Sequence, residues 1–132
     1  MKVIDSSSLL KFLNREDGWE DVDEELEAGC ITIELAIKEA GNGLWKRVKR
    51  GEITGNVASK LYNTFLEHLP IKLAEQKELY SDSMELAISN RMTLYDAMFI
   101  QLARKLGLPL VTSDREQADI CKKLGVQVRH IT

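Results

Sequence analysis

The sequence predicts a three-layer α/β/α fold with a central parallel sheet, and three observations lead there. Short β-branched runs alternate with amphipathic stretches of helical length, so successive strands are joined through helices and pair in parallel. The 132 residues suit one domain of common size, residues 1–132, with 44% hydrophobic residues for a core and 30% charged residues to cover it. With 8 Gly, 2 Pro, no internal repeat and no linker-like segment, nothing divides the chain or marks it as disordered.

Lys2-Val3-Ile4 reads as the first strand, and Asp5-Ser6-Ser7-Ser8 offers a polar cap to a helix carried by Leu9, Leu10, Phe12 and Leu13. Trp19 to Ala28 reads as a helix that Gly29 closes. Cys30 to Ile33 is the second strand, and Glu34 to Arg50 is a long helix ended by Gly51. Thr54 to His68 is amphipathic, with Val57, Leu61, Phe65 and Leu69 recurring every fourth residue until Pro70 breaks it. Ile71-Lys72-Leu73 forms a brief strand. Helices follow from Gln76 to Ser89 and from Leu94 to Leu106, the latter stopped by Gly107 and Pro109. Leu110-Val111-Thr112 is a strand, Arg115 to Leu124 a helix ended by Gly125, and Val126 to Ile131 the last strand.

Several functions fall away on composition. No apolar h-region follows the N-terminus, and no uncharged run approaches the ~20 residues that span a bilayer. Cys30 and Cys121 are far apart, and His68 and His130 are isolated, so a zinc site is not expected. Both cysteines read as small buried residues of a protein in the reducing cytoplasm. A formal net charge of −3 argues against coating nucleic acid by charge alone. It leaves room for an enzyme that grips phosphate through a bound cation.

The acids stand at telling places. Asp5 and Asp114 follow the strands Lys2-Val3-Ile4 and Leu110-Val111-Thr112, and ligands of open parallel sheets collect beyond such carboxyl ends. Asp96 shares a helical stripe with Ile100 and Ala103, flanked by Ala97, Phe99 and Leu106. An acid on an apolar face costs several kcal/mol unless paired, protonated or on a metal. Glu39 lies roughly 60° from a stripe of Ala36, Ala40, Gly43 and Arg47, whose small members permit close approach to the sheet.

A structural reading competes at each acid. Asp5 can cap the helix after it, Thr93-Leu94-Tyr95-Asp96 resembles a capping box, and Ser113-Asp114-Arg115-Glu116 is a full one. Glu39 can serve as an ordinary helix-surface partner. Four such coincidences at one sheet end are harder to accept than one. Clustered carboxylates need a counter-charge, and no Lys or Arg stands beside Asp5 or Asp96 in sequence. Oxygen-only ligands point to Mg²⁺, with Mn²⁺ able to substitute, and such an ion orients a phosphodiester and activates water. Other acid motifs fail: residue 7 is Ser where a haloacid-dehalogenase pattern needs Asp, and residue 9 is Leu where a metal-adhesion motif needs Ser. The acidic pair and the late Lys of a phosphoacceptor receiver are both missing.

The motifs in this order resemble the PIN domain, specifically the VapC-type ribonuclease toxins. The likeness rests on Val3-Ile4-Asp5-Ser6-Ser7, Glu39-Ala40-Gly41-Asn42, Thr93-Leu94-Tyr95-Asp96-Ala97 and Leu110-Val111-Thr112-Ser113-Asp114, and covers essentially the whole chain. It implies a metal-dependent endoribonuclease with Asp5, Glu39, Asp96 and Asp114 as its acidic quartet. Asp5, Asp96 and Asp114 would hold the metal, with Asp5 and Asp96 foremost. Ser6, Asn42 and Thr112 fall at supporting positions. The resemblance also implies a homodimer restrained by a small antitoxin protein, and RNA as substrate.

Trp45-Lys46-Arg47-Val48-Lys49-Arg50 is the one dense basic run. Lys46, Lys49 and Arg50 are candidate phosphate contacts, whereas Arg47, on the Ala36–Ala40–Gly43 stripe, is expected to pack against the sheet. A solvated helix end is the competing reading of the run. Lys122, Lys123, Arg129 and His130 are weaker candidates. The alternative to a nuclease is a non-catalytic α/β binding or scaffold domain whose acids only cap helices.

Overall fold

Five parallel strands form one sheet in the computed structural model, which describes residues 1–132. They are β1 (Lys2–Ile4), β2 (Cys30–Thr32), β3 (Ile71–Leu73), β4 (Leu110–Thr112) and β5 (Val128–His130), in the spatial order β3-β2-β1-β4-β5. The helices are α1 (Ser6–Asn14), α2 (Trp19–Ala28), α3 (Glu34–Lys49), α4 (Gly55–Glu67), α5 (Tyr80–Asn90), α6 (Leu94–Leu106) and α7 (Arg115–Lys123). Helices α1, α3 and α4 pack on one another, and α5 and α6 form a separate pair, so the sheet is the middle of three layers. Val3, Ile4, Leu110 and Val111 of the two central strands are wholly buried, as parallel strands covered on both faces must be. Phe99 of α6 and Leu9 of α1 are wholly buried too, each contributing about 1.5–3 kcal/mol by leaving water.

The elements expected from sequence are present, with shifts that have local causes. The last strand begins at Val128 because the Val126 N–H donates to the Cys121 carbonyl (2.9 Å), finishing α7 instead of pairing with β4. The helix expected from Gln76 opens as a 3-10 turn, Lys77–Leu79, before α5. Leu69 lies beyond the end of α4, and Val57 and Leu106 are 47% and 42% exposed, so the predicted stripes are narrower at their ends.

The stripe on α3 needs a larger correction. Ala36 and Ala40 are wholly buried, but the small residues admit helix α1 instead of the sheet. A Cβ at Gly43 would lie 2.5 Å from Leu10 Cδ2 of α1, so glycine there sets how closely the two helices approach. Helix α1 ends at Asn14, level with Arg47 of α3, whose guanidinium donates to Asn14 Oδ1 instead of packing against the sheet.

Candidate active site

The strand order makes the site. The chain leaves β1 toward β2 on one side, while β4 lies on the other, so connections part at the carboxyl ends of β1 and β4 and open a crevice there. Ile4 pairs with Val111 in register, which brings the next residues, Asp5 and Thr112, side by side. The Asp5 N–H donates to the Val111 carbonyl (3.1 Å), extending the ladder by one bond and fixing the backbone from which the carboxylate projects.

Asp5 is 3% exposed and held by hydroxyls. Its Oδ1 accepts from the Ser8 N–H (3.1 Å), capping α1, and from the Ser7 hydroxyl (2.6 Å); its Oδ2 accepts from Thr112 Oγ1 (2.5 Å). Ser7 Oγ also accepts the Ser113 N–H (2.9 Å), and Thr112 Oγ1 accepts the Asp114 N–H (3.1 Å), so the β1 and β4 ends are laced together. Burial pushes the Asp5 carboxyl up to about 6; Ser7, Thr112 and the Ser8 N–H pull it down, and the Asp114 charge pushes it further up. No cation counters it.

Asp114 caps α7, its Oδ1 accepting from the Gln117 N–H (2.9 Å), and is exposed beside Asp5. Asp96 lies in the first turn of α6, capped by Thr93, whose Oγ1 accepts the Asp96 N–H (3.1 Å). The cap is therefore made by the threonine, and the Asp96 carboxylate is not needed for it. That carboxyl is raised above its ordinary range by burial first and then by the charge of Asp114, with Glu116 adding and the Thr93 hydroxyl opposing. Glu39, in the second turn of α3, accepts from the Ser6 hydroxyl at Oε1 (3.0 Å). It too is raised, by burial, against the Ser6 hydroxyl, then further by Asp96, with Lys46 opposing. The quartet is thus electrically linked in the order Asp5, Asp114, Asp96, Glu39.

All four acids line one polar cleft of about 650 Å³, with Leu10 its only apolar wall. Ser6 and Asn42 line it with them, while Thr112 lies buried directly behind Asp5. The bland reading is therefore half true: Asp5 and Asp114 do cap helices, yet both also face the cleft that Glu39 and Asp96 share.

The far end of the cleft is basic. Lys46 and Arg50 line it, but Lys49 does not; its ammonium lies over the Trp45 ring (5.3 Å). Arg47 takes the third place, donating to Asn14 Oδ1 (2.6 Å) and paired with Glu52 (3.2 Å). Sequence reasoning also missed Ser7, whose hydroxyl joins Asp5 to the β4 end. A serine two residues beyond a capping Asp is a local signal for it. Lys122, Lys123, Arg129 and His130 are not among the cleft's walls; Arg129 approaches Asp21 (3.8 Å) and Glu25 (4.0 Å) instead.

The donor set is oxygen alone, and six acids (Asp5, Glu16, Glu39, Glu52, Asp96, Asp114) face three bases across the cleft. No three of the carboxylates converge tightly enough to chelate an ion by themselves. Such a donor set fits a hard divalent cation that keeps several of its waters, and not a zinc-like cage.

Residues 2–123 match the PIN domain family. Ribonuclease VapC3 of Pyrobaculum aerophilum is 30% identical over 120 residues, 89% of this chain and 92% of that protein. Exonuclease VapC9 of the same organism is 32% identical over 114 residues, 86% of this chain and 80% of that one. The crystal structure of PAE2754, also from Pyrobaculum aerophilum, superposes with a TM-score of 0.73 at 30% identity, covering 96% of this chain and 89% of its own. FitAcB from Neisseria gonorrhoeae shares the fold, with a TM-score of 0.64 at 15% identity over 97% and 96% of the two chains. With a buried aspartate at the sheet crossover, three further acids around it and this match along its length, the chain belongs to the PIN domain family as a VapC-type member.

Proposed function

We propose that residues 1–132 form one metal-dependent endoribonuclease domain, cutting RNA phosphodiester bonds in the cytoplasm as the toxin of a toxin–antitoxin pair. The observation that carries this reading is Asp5: a carboxylate almost wholly removed from water at the crevice of a parallel sheet, with two more raised carboxyls nearby, Asp96 by burial and the Asp114 charge and Glu39 by burial and the Asp96 charge. Holding an acid in such surroundings is costly, and an arriving cation would offset that cost. Of Asp5, Asp96 and Asp114, one or two would bind the ion directly and the rest through its waters, Mg²⁺ with Mn²⁺ able to replace it. When bound, it supplies charge neutralisation at the phosphate and a more acidic water.

The chain's own residues do the rest. Ser7 and Thr112 fix both oxygens of Asp5, so its position does not depend on the ligand. Ser6 orients Glu39 through Oε1 and leaves Oε2 to accept a proton from an attacking water, a role to which its raised pKa suits it. Lys46 and Arg50 would grip phosphates flanking the scissile one.

Two surface features support the proposed partners. A groove of about 390 Å³ between α1 and α4, walled by Phe12, Leu13, Leu61 and Phe65, suits an apolar segment of a small antitoxin. On α5, Tyr80, Met84 and Ile88 recur every fourth residue and are 47%, 48% and 72% exposed, an apolar stripe suited to a second copy of this chain. A neighbouring reading frame encoding a short protein that co-purifies with this chain and silences it would establish the toxin role. The nuclease reading is tested by Mg²⁺-dependent RNA cleavage that Asp5→Asn or Asp96→Asn abolishes. Full cleavage by both variants would remove these acids from the catalytic site, and no cleavage by the unaltered chain with Mg²⁺ would leave the non-catalytic scaffold reading.

A further inference from the structure

Resting on the nuclease reading, we propose that Glu52 is an internal stand-in for an RNA phosphate: its carboxylate bridges Arg47 and Arg50 at the basic end of the cleft, and entering RNA displaces it. The placement begins with the end of α3. Gly51 takes φ +74°, a conformation that favours glycine, so its N–H reaches the Val48 carbonyl (3.0 Å) and the Glu52 N–H reaches the Arg47 carbonyl (2.9 Å). These two bonds fold the chain back over the last helical turn and fix Glu52 there. Its Oε1 lies 3.2 Å from Arg47 Nε and its Oε2 2.8 Å from Arg50 Nε. One anion with an oxygen on each of two guanidiniums is how the non-bridging oxygens of a phosphodiester engage an arginine pair.

Helix stability does not account for an acid at this point. The C-terminal end of a helix repels negative charge, and Lys46, Arg47 and Lys49 already complement it. The bridge is built to yield. Glu52 is 44% exposed and Arg50 61%, so both pairs are screened by water and salt and are individually weak. Arg47 stays aimed when Glu52 leaves, because Asn14 Oδ1 holds its Nη1 from the other side (2.6 Å) and Arg47 is only 26% exposed. An anion arriving with two oxygens and a full charge therefore exchanges like for like. Glu52 sets a threshold that a single weak phosphate contact does not pass.

The test compares two probes. The first is a fluorescein-labelled 20-nucleotide single-stranded RNA, bound with Mg²⁺ present to the Asp96→Asn chain, which blocks cleavage. The second is inorganic tripolyphosphate, titrated in metal-free buffer against the otherwise unaltered chain while the Arg47 and Arg50 Nε–H resonances are followed by NMR. Glu52→Gln should tighten both by about three- to tenfold, as release of two exposed ion pairs permits. Glu67→Gln on α4, with the same charge change far from the cleft, should tighten neither. The gain should vanish when Arg47→Ala and Arg50→Ala are added. Tightened tripolyphosphate with no RNA bound by any variant would leave the stand-in intact and sink the nuclease reading. Unchanged affinity for both probes, a gain matched by Glu67→Gln, a gain that survives loss of both arginines, or no binding of either probe would overturn the proposal.

Discussion

The two ends of one cleft are made in opposite ways. The acidic end is a product of the sheet: register puts Thr112 beside Asp5, strand order puts the β4 end beside the β1 end, and hydroxyls pin both oxygens of a buried carboxylate. The basic end is a product of one helix terminus, with exposed side chains held by screened ion pairs. A group fixed by the core is hard to move and costly to leave charged, which suits a metal and the bond to be cut. Groups on a helix end adapt at little cost, which suits a backbone whose sequence and path vary. Losses at the acidic end should therefore be large and specific, and losses at the basic end graded and salt-dependent.

The widest gap between the two ends lies in catalysis. Asp5→Asn or Asp96→Asn should lower cleavage by more than about a hundredfold, exceeding what loss of an outer-shell partner of a metal site brings. The Asp96→Asn protein should at the same time melt higher than the unaltered chain in chelator, because desolvation and the Asp114 charge both oppose an ionised Asp96. Cleavage at undiminished rate, measured on labelled RNA, would erase the distinction between the ends.

The next largest effect is on stability and pH. The folded state holds the Asp5 proton with a pKa of about 6, against 3.8 for an ordinary aspartate, so it binds that proton more tightly than the unfolded chain does. Stability of the metal-free protein from this group therefore rises as pH falls from neutrality through about 6 toward 4, and is lost as pH climbs back. The scale at Asp5 is about 3 kcal/mol. Asp5→Asn should thus be the more stable protein in chelator at pH 7.5, and its advantage should shrink by pH 5, as read by thermal melts. A constant difference across that range would mean Asp5 is not held at a cost. Acidification should also weaken Mn²⁺ binding, since proton and metal compete for the same oxygens.

Thr112→Val should come third, with a loss of about 10–100-fold in cleavage, because it strips Oδ2 of Asp5 of its hydroxyl while keeping the shape of the β4 end. The smallest effects belong to the basic end. Lys46→Ala and Arg47→Ala should each weaken RNA binding and lower its salt slope by about 0.7, while Lys49→Ala, whose ammonium lies over Trp45 and outside the cleft, should change the slope little. Equal slopes for all three variants would make the basic run an unstructured charge cloud.

The same division governs what the sequence discloses. Strand–helix alternation, the caps at Asp5, Thr93 and Asp114, and the acids after β1 and β4 are local patterns, and the elements stand where their residues predict apart from the later starts of α5 and β5. Arg47 was misjudged for a reason local pattern cannot supply. Its stripe with Ala36, Ala40 and Gly43 is real, but whether that stripe meets the sheet or α1, and where α1 ends, is fixed only by packing. Lys46 shows the same limit: seven residues from Glu39 in sequence, it lies near enough in the fold to lower that carboxyl's pKa, so the acids are not without a cation nearby. The Glu52 bridge needs the fold-back at Gly51 and both arginine rotamers, which no spacing rule contains. Ser7 was within reach, since its hydroxyl acts on a carboxylate two residues away.

The acidic end is the centre of the account, and chelation tests it most directly. RNA labelled at its 5′ end, incubated with the purified chain at neutral pH, should yield internal fragments with Mg²⁺, none with excess EDTA, and the same fragments when Mn²⁺ is restored. Products that shorten stepwise from one end would keep the metal site and replace the endonuclease by an exonuclease, the activity in the name of the relative Exonuclease VapC9. Cleavage that persists unchanged in EDTA would contradict the account, because Asp5 would then be buried, with Asp96 and Asp114 crowded near it, and no cation to justify it.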